Sequence, residues 1–249
     1  TSIAGVCPAS NASLTIKVDQ LSMQAVAGSN FTICTNSNSP VLSANTPTAT
    51  NTGTWSLVSG ALSGFSNQFS PVSAALSMGI GLNVLQWSIK NGVCPATVST
   101  VTIQVDDNPA ASVAGVANQT ICISTGSATL GANQPGPFQG TGTWSVTFGG
   151  GTVTSISNPS TTVGNLTPTL NVFQWKISNF CGSSPVSTVS IQADLLPTTA
   201  FAGTSAAECS LASPNYTAAP VFTLGANQPT IGVGSWSVII GTGTVSNIN

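Results

Sequence analysis

Short runs of alternating apolar and polar residues recur along the chain. In Trp144-Ser-Val-Thr-Phe148 the apolar residues Trp144, Val146 and Phe148 share one face, and Thr143, Ser145 and Thr147 share the other. That is the period of two expected of a strand with one face in a core. The runs Leu85, Trp87, Ile89 and Phe173, Trp175, Ile177 behave in the same way, as do Leu14-Thr-Ile-Lys-Val18, Val101-Thr-Ile-Gln-Val105 and Val189-Ser-Ile-Gln-Ala193. Gly-rich or Asn-Gly turns separate them, as at Gly149-Gly150-Gly151 and Asn91-Gly92. No stretch carries helical periodicity, so the pattern predicts an all-β chain.

The strands are also a repeat. Gly53-Thr-Trp-Ser-Leu57 returns as Gly142-Thr-Trp-Ser-Val146 and as Gly234-Ser-Trp-Ser-Val238, placing Trp55, Trp144 and Trp236 at spacings of 144 − 55 = 89 and 236 − 144 = 92. Trp87 and Trp175 are 88 apart, Cys7, Cys94 and Cys181 are 87 and 87 apart, and Cys34, Cys122 and Cys209 are 88 and 87 apart. Leu130-Gly-Ala-Asn-Gln-Pro135 and Leu224-Gly-Ala-Asn-Gln-Pro229 are identical, with Leu42-Ser-Ala-Asn-Thr-Pro47 a degenerate copy. The economical solution is a tandem array of immunoglobulin-like β-sandwich modules of about 88 residues, each with about seven short strands. Closing strands followed by Asp19, Asp106 and Asp194 put boundaries near 19, 107 and 195. Residues 1-19 are then the tail of a preceding repeat, 20-107 and 108-195 complete repeats, and 196-249 the first part of a following one, as in a window on a longer array. The five tryptophans, in phase with aliphatic residues, are expected in the module cores.

Six cysteines allow 15 pairings. Repeat symmetry leaves few, and the simplest joins Cys34 to Cys94 and Cys122 to Cys181, with Cys7 and Cys209 pairing beyond residues 1–249. Both cysteines of a module lie outside the alternating strands, which suggests a staple across one end of each sandwich. No CxxC and no His accompanies these thiols, so a zinc site is disfavoured. Disulfides in turn imply an oxidising compartment.

Composition narrows the chemistry. Charged residues are 3% of the chain, with Lys+Arg 3, Asp+Glu 5 and His 0, against about 25% charged residues in an average globular protein. Lys17, Lys90 and Lys176 form no cationic stripe, which rules out nucleic acid, and no apolar run is long enough for a spanning helix. General acid-base catalysis needs His or convergent carboxylates. Asp19, Asp106, Asp107 and Asp194 stand instead at module junctions, and Glu208 stands beside Cys209, so no enzyme and no cofactor is expected. The junction aspartates are candidates for calcium, although one carboxylate per junction falls short of the oxygen ligands that ion takes. Tyr216, in the polar loop Ser213-Pro-Asn-Tyr-Thr217, is the candidate ligand contact. Asn11, Asn30, Asn118, Asn165 and Asn215 stand in Asn-x-Ser/Thr triplets, so attached sugar could keep an uncharged array dispersed.

The order Cys, Leu-x-Ala-Asn, Gly-Thr-Trp-Ser, Gly-Gly-Thr-Val, Ser-Asn-Pro, Gln-Trp-x-Ile, Asn-Gly-Val-Cys-Pro, Thr-Val-x-Ile resembles the PKD-like and immunoglobulin-like tandem repeats of very large secreted or surface-anchored Bacteroidota proteins. The likeness covers all 249 residues and is carried best by Ser157–Val163 and Asn91–Pro95, while residues 61 to 79 depart most. The resemblance implies export by the type IX route and a stalk, adhesin or filament role at the cell surface, with partners among neighbouring repeats, other copies of the chain and surface glycans. A glycan- or host-binding adhesion module and a subunit polymerising by strand exchange are the alternatives.

Overall fold

A computed structural model describes residues 11–48, 50–115, 118–207 and 221–246. It is an all-β architecture of immunoglobulin-like, PKD-like sandwiches. Cys7, Glu208, Cys209, Tyr216 and Asn215 lie outside the described residues.

The described residues fall into two compact units. The first takes in those up to Ala111 together with Gln134–Gly142 and Lys176–Pro185, and the second takes in Ser112–Asn133, Thr143–Trp175 and those from Val186 onward. The first unit thus draws residues from both sides of position 107.

Within residues 31–106 there are seven strands in two sheets. One sheet runs β1 (Phe31–Cys34), β7 (Thr97–Asp106), β6 (Gly81–Asn91), β3 (Asn51–Ser59); the other runs β2 (Val41–Ser43), β5 (Val72–Leu76), β4 (Gly64–Phe65). The second repeat has the same order: β8 (Gln119–Cys122), β15 (Ser187–Asp194), β13 (Leu170–Asn179), β10 (Thr141–Phe148) against β9 (Ser127–Leu130), β12 (Thr161–Gly164), β11 (Thr152–Val153). A two-residue strand, β14 (Gly182–Ser183), adds to the hairpin after β13. In both repeats the first strand pairs in parallel with the last, Cys34 opposite Asp106 and Cys122 opposite Asp194. A constant-type antibody domain instead keeps its first strand in the opposite sheet.

The core follows from the alternation. Along β6 Leu85, Trp87 and Ile89 point inward, and they meet Val101, Ile103 and Val105 of β7 and Trp55 of β3 in one buried cluster. Trp55 lies on Trp87 with ring centroids 5.1 Å apart, and Trp144 lies on Trp175 at the same distance. Gly53 is required beside this pair because a Cβ there would strike the Trp87 indole. The Trp55 indole N–H donates to Ser70 O at 3.1 Å, whereas those of Trp87, Trp144 and Trp175 are buried with no hydrogen-bond acceptor.

The sequence expectation differs from the structure at three places. β10 is buried only at Gly142 and Trp144; Val146 and Phe148 are exposed, the latter to 59%, because the facing strands β9, β11 and β12 are two to four residues long and do not reach over them. Leu14–Val18 forms no strand and Leu14 is 85% exposed. Its counterparts β7 and β15 are each held between two strands, and no described residue pairs with 14–18. Trp236 is half-buried, and the described residues 196–207 and 221–246 form no strand.

Candidate functional site

A connected polar region of the first unit surrounds Asp106, where the last strand of the first repeat gives way to the second. β1 ends beside it with Cys34. The turn after β13 carries Cys181, whose Sγ lies 3.5 Å from Asp106 O. Cys34 and Cys181 form a disulfide with Cα atoms 5.5 Å apart and a sequence separation of 147. Cys94 and Cys122 are free thiols.

The expected pairs Cys34–Cys94 and Cys122–Cys181 therefore do not form, and the parallel first strand is the reason. Cys34 sits at the end of β7 and Cys94 just before its start at Thr97. Nine residues of strand at about 3.3 Å each separate those ends by roughly 30 Å, against the 4.4–6.8 Å between Cα atoms that a disulfide allows. The alternation of apolar residues shows that both cysteines lie outside the core-facing runs, but not that they lie at opposite ends.

Around the bond a backbone clamp fixes the connection. Asn179 Nδ2 donates to Asp107 O at 2.8 Å and to Phe138 O at 3.2 Å, while its Oδ1 accepts from Cys181 N at 2.8 Å. Asp107 N donates to Phe138 O and Ala110 N to Gln139 O, each at 3.1 Å. A cavity of about 370 Å³ lies between Gln104, Asp106, Phe138, Gly140 and the hairpin residues Asn179 and Phe180. The same clamp recurs 88 residues earlier: Asn91 Nδ2 donates to Gln20 O at 2.9 Å, and Cys94 Sγ lies 3.5 Å from Asp19 O.

A second asparagine clamp explains the Leu-x-Ala-Asn motif. Asn45 Oδ1 accepts from Val26 N at 2.8 Å and its Nδ2 donates to Gln24 O at 2.8 Å, so one side chain stands in for a rung of ladder and ties the strandless opening segment to the sheet. Asn133 accepts from Val113 N at 2.9 Å, and Asn227 repeats both contacts with Phe201 N and Thr199 O. With the backbone bonds from Asn45 N to Val26 O, Asn133 N to Val113 O and Asn227 N to Phe201 O, these contacts satisfy the opening segment without a regular strand.

The junction aspartates are each occupied by protein donors. Asp19 pairs with Lys17 at 2.9 Å and accepts from Val93 N at 3.0 Å, and these two contacts hold its carboxyl below the ordinary 3.8. Gln104 donates to Asp106 at 2.6 Å, and Gln192 donates to Asp194 at 3.0 Å. Asp107 accepts from Asn108 N at 2.8 Å and from Thr35 Oγ1 and Gln139 Nε2 at 3.4 Å. Among the described residues no three of His, Cys, Asp and Glu gather in a group able to hold a metal ion.

Of the Asn-x-Ser/Thr positions, Asn30 and Asn118 lend their Oδ1 to Thr102 N and Ser190 N on the adjoining last strands, at 2.8 and 3.1 Å. Asn11 is exposed, and Asn165 turns in the left-handed region at φ 52° with its Nδ2 donating to Thr152 Oγ1. No described helix is long and apolar enough to cross a membrane.

No protein-family model matches the chain, and no curated protein matches it. Among solved structures it is similar to Sidekick-1 immunoglobulin domains 1-5 at 12% identity, covering 74% of this chain and 42% of that one with a TM-score of 0.46. It is also similar to the EC1-2 segment of human mucin-like protocadherin at 14% identity, covering 69% and 98% with a TM-score of 0.35. The PKD domain from the KIAA 1837 protein is 20% identical, covering 35% and 92% with a TM-score of 0.30. The chain spans less than half the length of the Sidekick-1 chain.

Proposed function

We propose that this chain is a non-catalytic structural region of an extracellular stalk, adhesin or filament, built of modules bounded near residues 19, 107 and 195. The observation that carries the reading is the Cys34–Cys181 disulfide, which ties the first strand of one sequence repeat to the hairpin of the next inside one compact unit. A bond of that kind adds nothing to chemistry at a site, but it keeps neighbouring repeats from parting under load, and it persists only where thiols are not kept reduced. The chain supplies no His and only five carboxylates, none convergent among the described residues, which accords with a role carried by shape and strength. The sequence resemblance supports an array on a Bacteroidota cell surface after type IX export, with other copies and surface glycans as its contacts.

The direct test is labelling of intact source cells with an antibody raised against residues 20–195. Labelling without permeabilisation is expected; signal only after permeabilisation overturns the surface assignment. A mechanical test addresses the load-bearing part. With the disulfide intact, the chain between Cys34 and Cys181, a sequence separation of 147, cannot extend, so pulling the chain from its ends should release roughly 50 nm less contour length than after reduction, at about 3.5 Å per residue. Equal lengths in both states would remove the bond from the load path.

A further inference from the structure

The first unit holds the same junction carboxylate twice, in different surroundings. Asp106 stands 87 residues after Asp19, Gln104 87 after Lys17, and Phe180 87 after Val93. At Asp19 both carboxylate oxygens are taken, Oδ1 by the Lys17 ammonium at 2.9 Å and Oδ2 by Val93 N at 3.0 Å. Gly92 is pressed against that carboxylate so closely that a Cβ on it would collide with Oδ2. At Asp106 a glutamine stands in the lysine's place. Gln104 Nε2 donates to Oδ1 at 2.6 Å, and no described residue donates to Oδ2. Asn179, in the place of Gly92, turns its amide to Asp107 O and Phe138 O. The result is a carboxylate residue only 5% exposed, lining a cavity of about 370 Å³. Among the described residues the one ion pair is Lys17–Asp19, so neither Lys90 nor Lys176 neutralises Asp106. A buried charge is ordinarily paired.

The rest of the lining suits a cation on a hydrocarbon stem. Phe138 and Phe180 border the cavity together with Gln104, Thr141 and Ser178. Aromatic faces attract ammonium groups, and the methylene stem of a lysine packs along apolar surface. Phe138 is held in the left-handed region at φ 62°, a conformation that bulky residues rarely adopt and that gathers at functional sites. Its carbonyl accepts from Asp107 N and Asn179 Nδ2, which fix it there. Gly81 makes room for the ring, since a Cβ at that position would lie 3.3 Å from it.

We propose that the cavity beside Asp106 binds a primary alkylammonium group of the lysine type, which takes at Asp106 the place that Lys17 takes at Asp19. The ammonium pairs with Oδ2, and its stem lies along Phe138 and Phe180. The source is either a lysine side chain of another protein or a free alkylamine; the chemistry read by the cavity is the same. A sugar hydroxyl also donates to a carboxylate, but the preceding repeat fills this position of the fold with an ammonium, and that precedent decides between the two. The inference does not depend on the stalk reading, because the ligand is recognised within the first unit wherever the chain resides.

The test titrates the isotope-labelled chain, disulfide intact, with Nα-acetyl-lysine methylamide and with butylamine at neutral pH. NMR follows the Gln104 side-chain amide and the backbone amides of residues 178–180. Saturable shifts are expected at roughly millimolar ligand. A tighter response to the lysine derivative assigns the source to a side chain and an equal one to a free amine; both uphold the ammonium. The same lysine derivative acetylated at Nε should leave the spectrum unchanged, and Asp106→Asn should weaken binding by at least about tenfold. Should that variant fail to fold, Gln104→Lys serves in its place. It sets a lysine two residues before Asp106, as Lys17 stands before Asp19, and should remove the shifts at 178–180. The proposal is overturned by the absence of saturable shifts with either amine, by equal shifts with the Nε-acetylated compound, or by undiminished binding in Gln104→Lys. Shifts given by a methyl hexoside in place of the amines overturn it in favour of a sugar site. Binding that appears only after Lys176→Gln overturns it as well, since the cavity is then filled by the chain's own lysine.

Discussion

Replacing Cys181 and Cys94 by Ser in turn tests the central assignment, because the thiol count of the Cys94 variant changes with opposite sign if pairing lies within a repeat. The bond closes a separation of 147 residues. In the chain-entropy model that restricts the unfolded chain by about 2.1 + 1.5R ln 147 ≈ 17 cal/mol/K, or about 5 kcal/mol at 25 °C. Cross-links commonly deliver less than this ceiling, so a loss of about 3–5 kcal/mol is expected. With a urea m-value of about 2 kcal/mol/M the midpoint should fall by roughly 1.5–2.5 M. Tryptophan fluorescence is a suitable reporter, since Trp55 and Trp87 belong to the buried cluster of residues 25–105. Thiol counting decides the pairing: Cys181→Ser removes one bonded sulfur and exposes Cys34, so the number of titratable thiols should rise by one. Cys94→Ser should lower the number by one and leave the midpoint nearly unchanged. If Cys94→Ser raises the thiol count or costs as much stability as Cys181→Ser, the bond between repeats is refuted and Cys34–Cys94 reinstated.

Four further outcomes follow from the same contacts. Asn171 is fully buried, its Oδ1 accepting from Gly150 N and Thr167 N and its Nδ2 donating to Thr167 O, Thr169 O and Ile191 O; Asn171→Leu should cost about 3 kcal/mol or more by stranding those groups, and a loss under about 1 kcal/mol in thermal or urea unfolding would refute the clamp. Gly53→Ala should cost at least about 1–3 kcal/mol through collision with the Trp87 indole, read as a lower urea midpoint, whereas Gly243→Ala, with open space around it, should be silent. The Asp19 carboxyl has a folded value below its ordinary 3.8, so its contribution is fully present above that pH and is lost as pH falls through the lowered value; Lys17→Met should shrink that acid-side loss in a pH series of melting temperatures. The hydrogen bond from Ser124 lowers the Cys122 thiol, so Ser124→Ala should slow alkylation of Cys122 near neutral pH, and an unchanged rate would deny that contact any role.

Much of this architecture is legible in one dimension, because a strand writes its two faces into alternate residues. Leu85, Trp87 and Ile89 are buried where the period of two places them, and the spacing of the tryptophans marks corresponding strands of successive repeats. Burial depends on more than phase, however. Val146 and Phe148 continue the phase of Trp144 and are exposed, since the opposite sheet is short there. A strand's own sequence cannot report how far its neighbour extends. Strand direction is equally silent in the pattern: β1 reads the same whether it runs parallel or antiparallel to β7, yet that choice decides which end of the sandwich receives Cys34. The asparagine clamps were visible as repeated letters without a role. Asn45 and Asn133 acquire one only when the opening segment is seen to lack a regular strand and to draw part of its hydrogen bonding from side chains.

The position of the cysteines then bears on how stability is distributed. In a one-dimensional array each repeat has an intrinsic stability and an interface term with its neighbour. A bond inside a repeat would raise the first, whereas Cys34–Cys181 raises the second, together with the Asn179 contacts to Asp107 and Phe138. Opening the first repeat therefore strains the hairpin of the second. Cooperativity extends across position 107, since the compact unit that holds the first repeat also holds Gln134–Gly142 and Lys176–Pro185. With 3% charged residues the chain has few ion pairs with which to strengthen such a junction, and in the pair Lys17–Asp19 the lysine is exposed to screening. Covalent linkage and neutral amide clamps supply the coupling that charge does not, and both are insensitive to the salt that would weaken ion pairs. Stability in the oxidised state should accordingly change little between low and high ionic strength at neutral pH, while reduction of the disulfide should uncouple residues 20–107 from their neighbour at any salt concentration. A strongly salt-dependent unfolding midpoint with the disulfide intact would contradict this account of the junction.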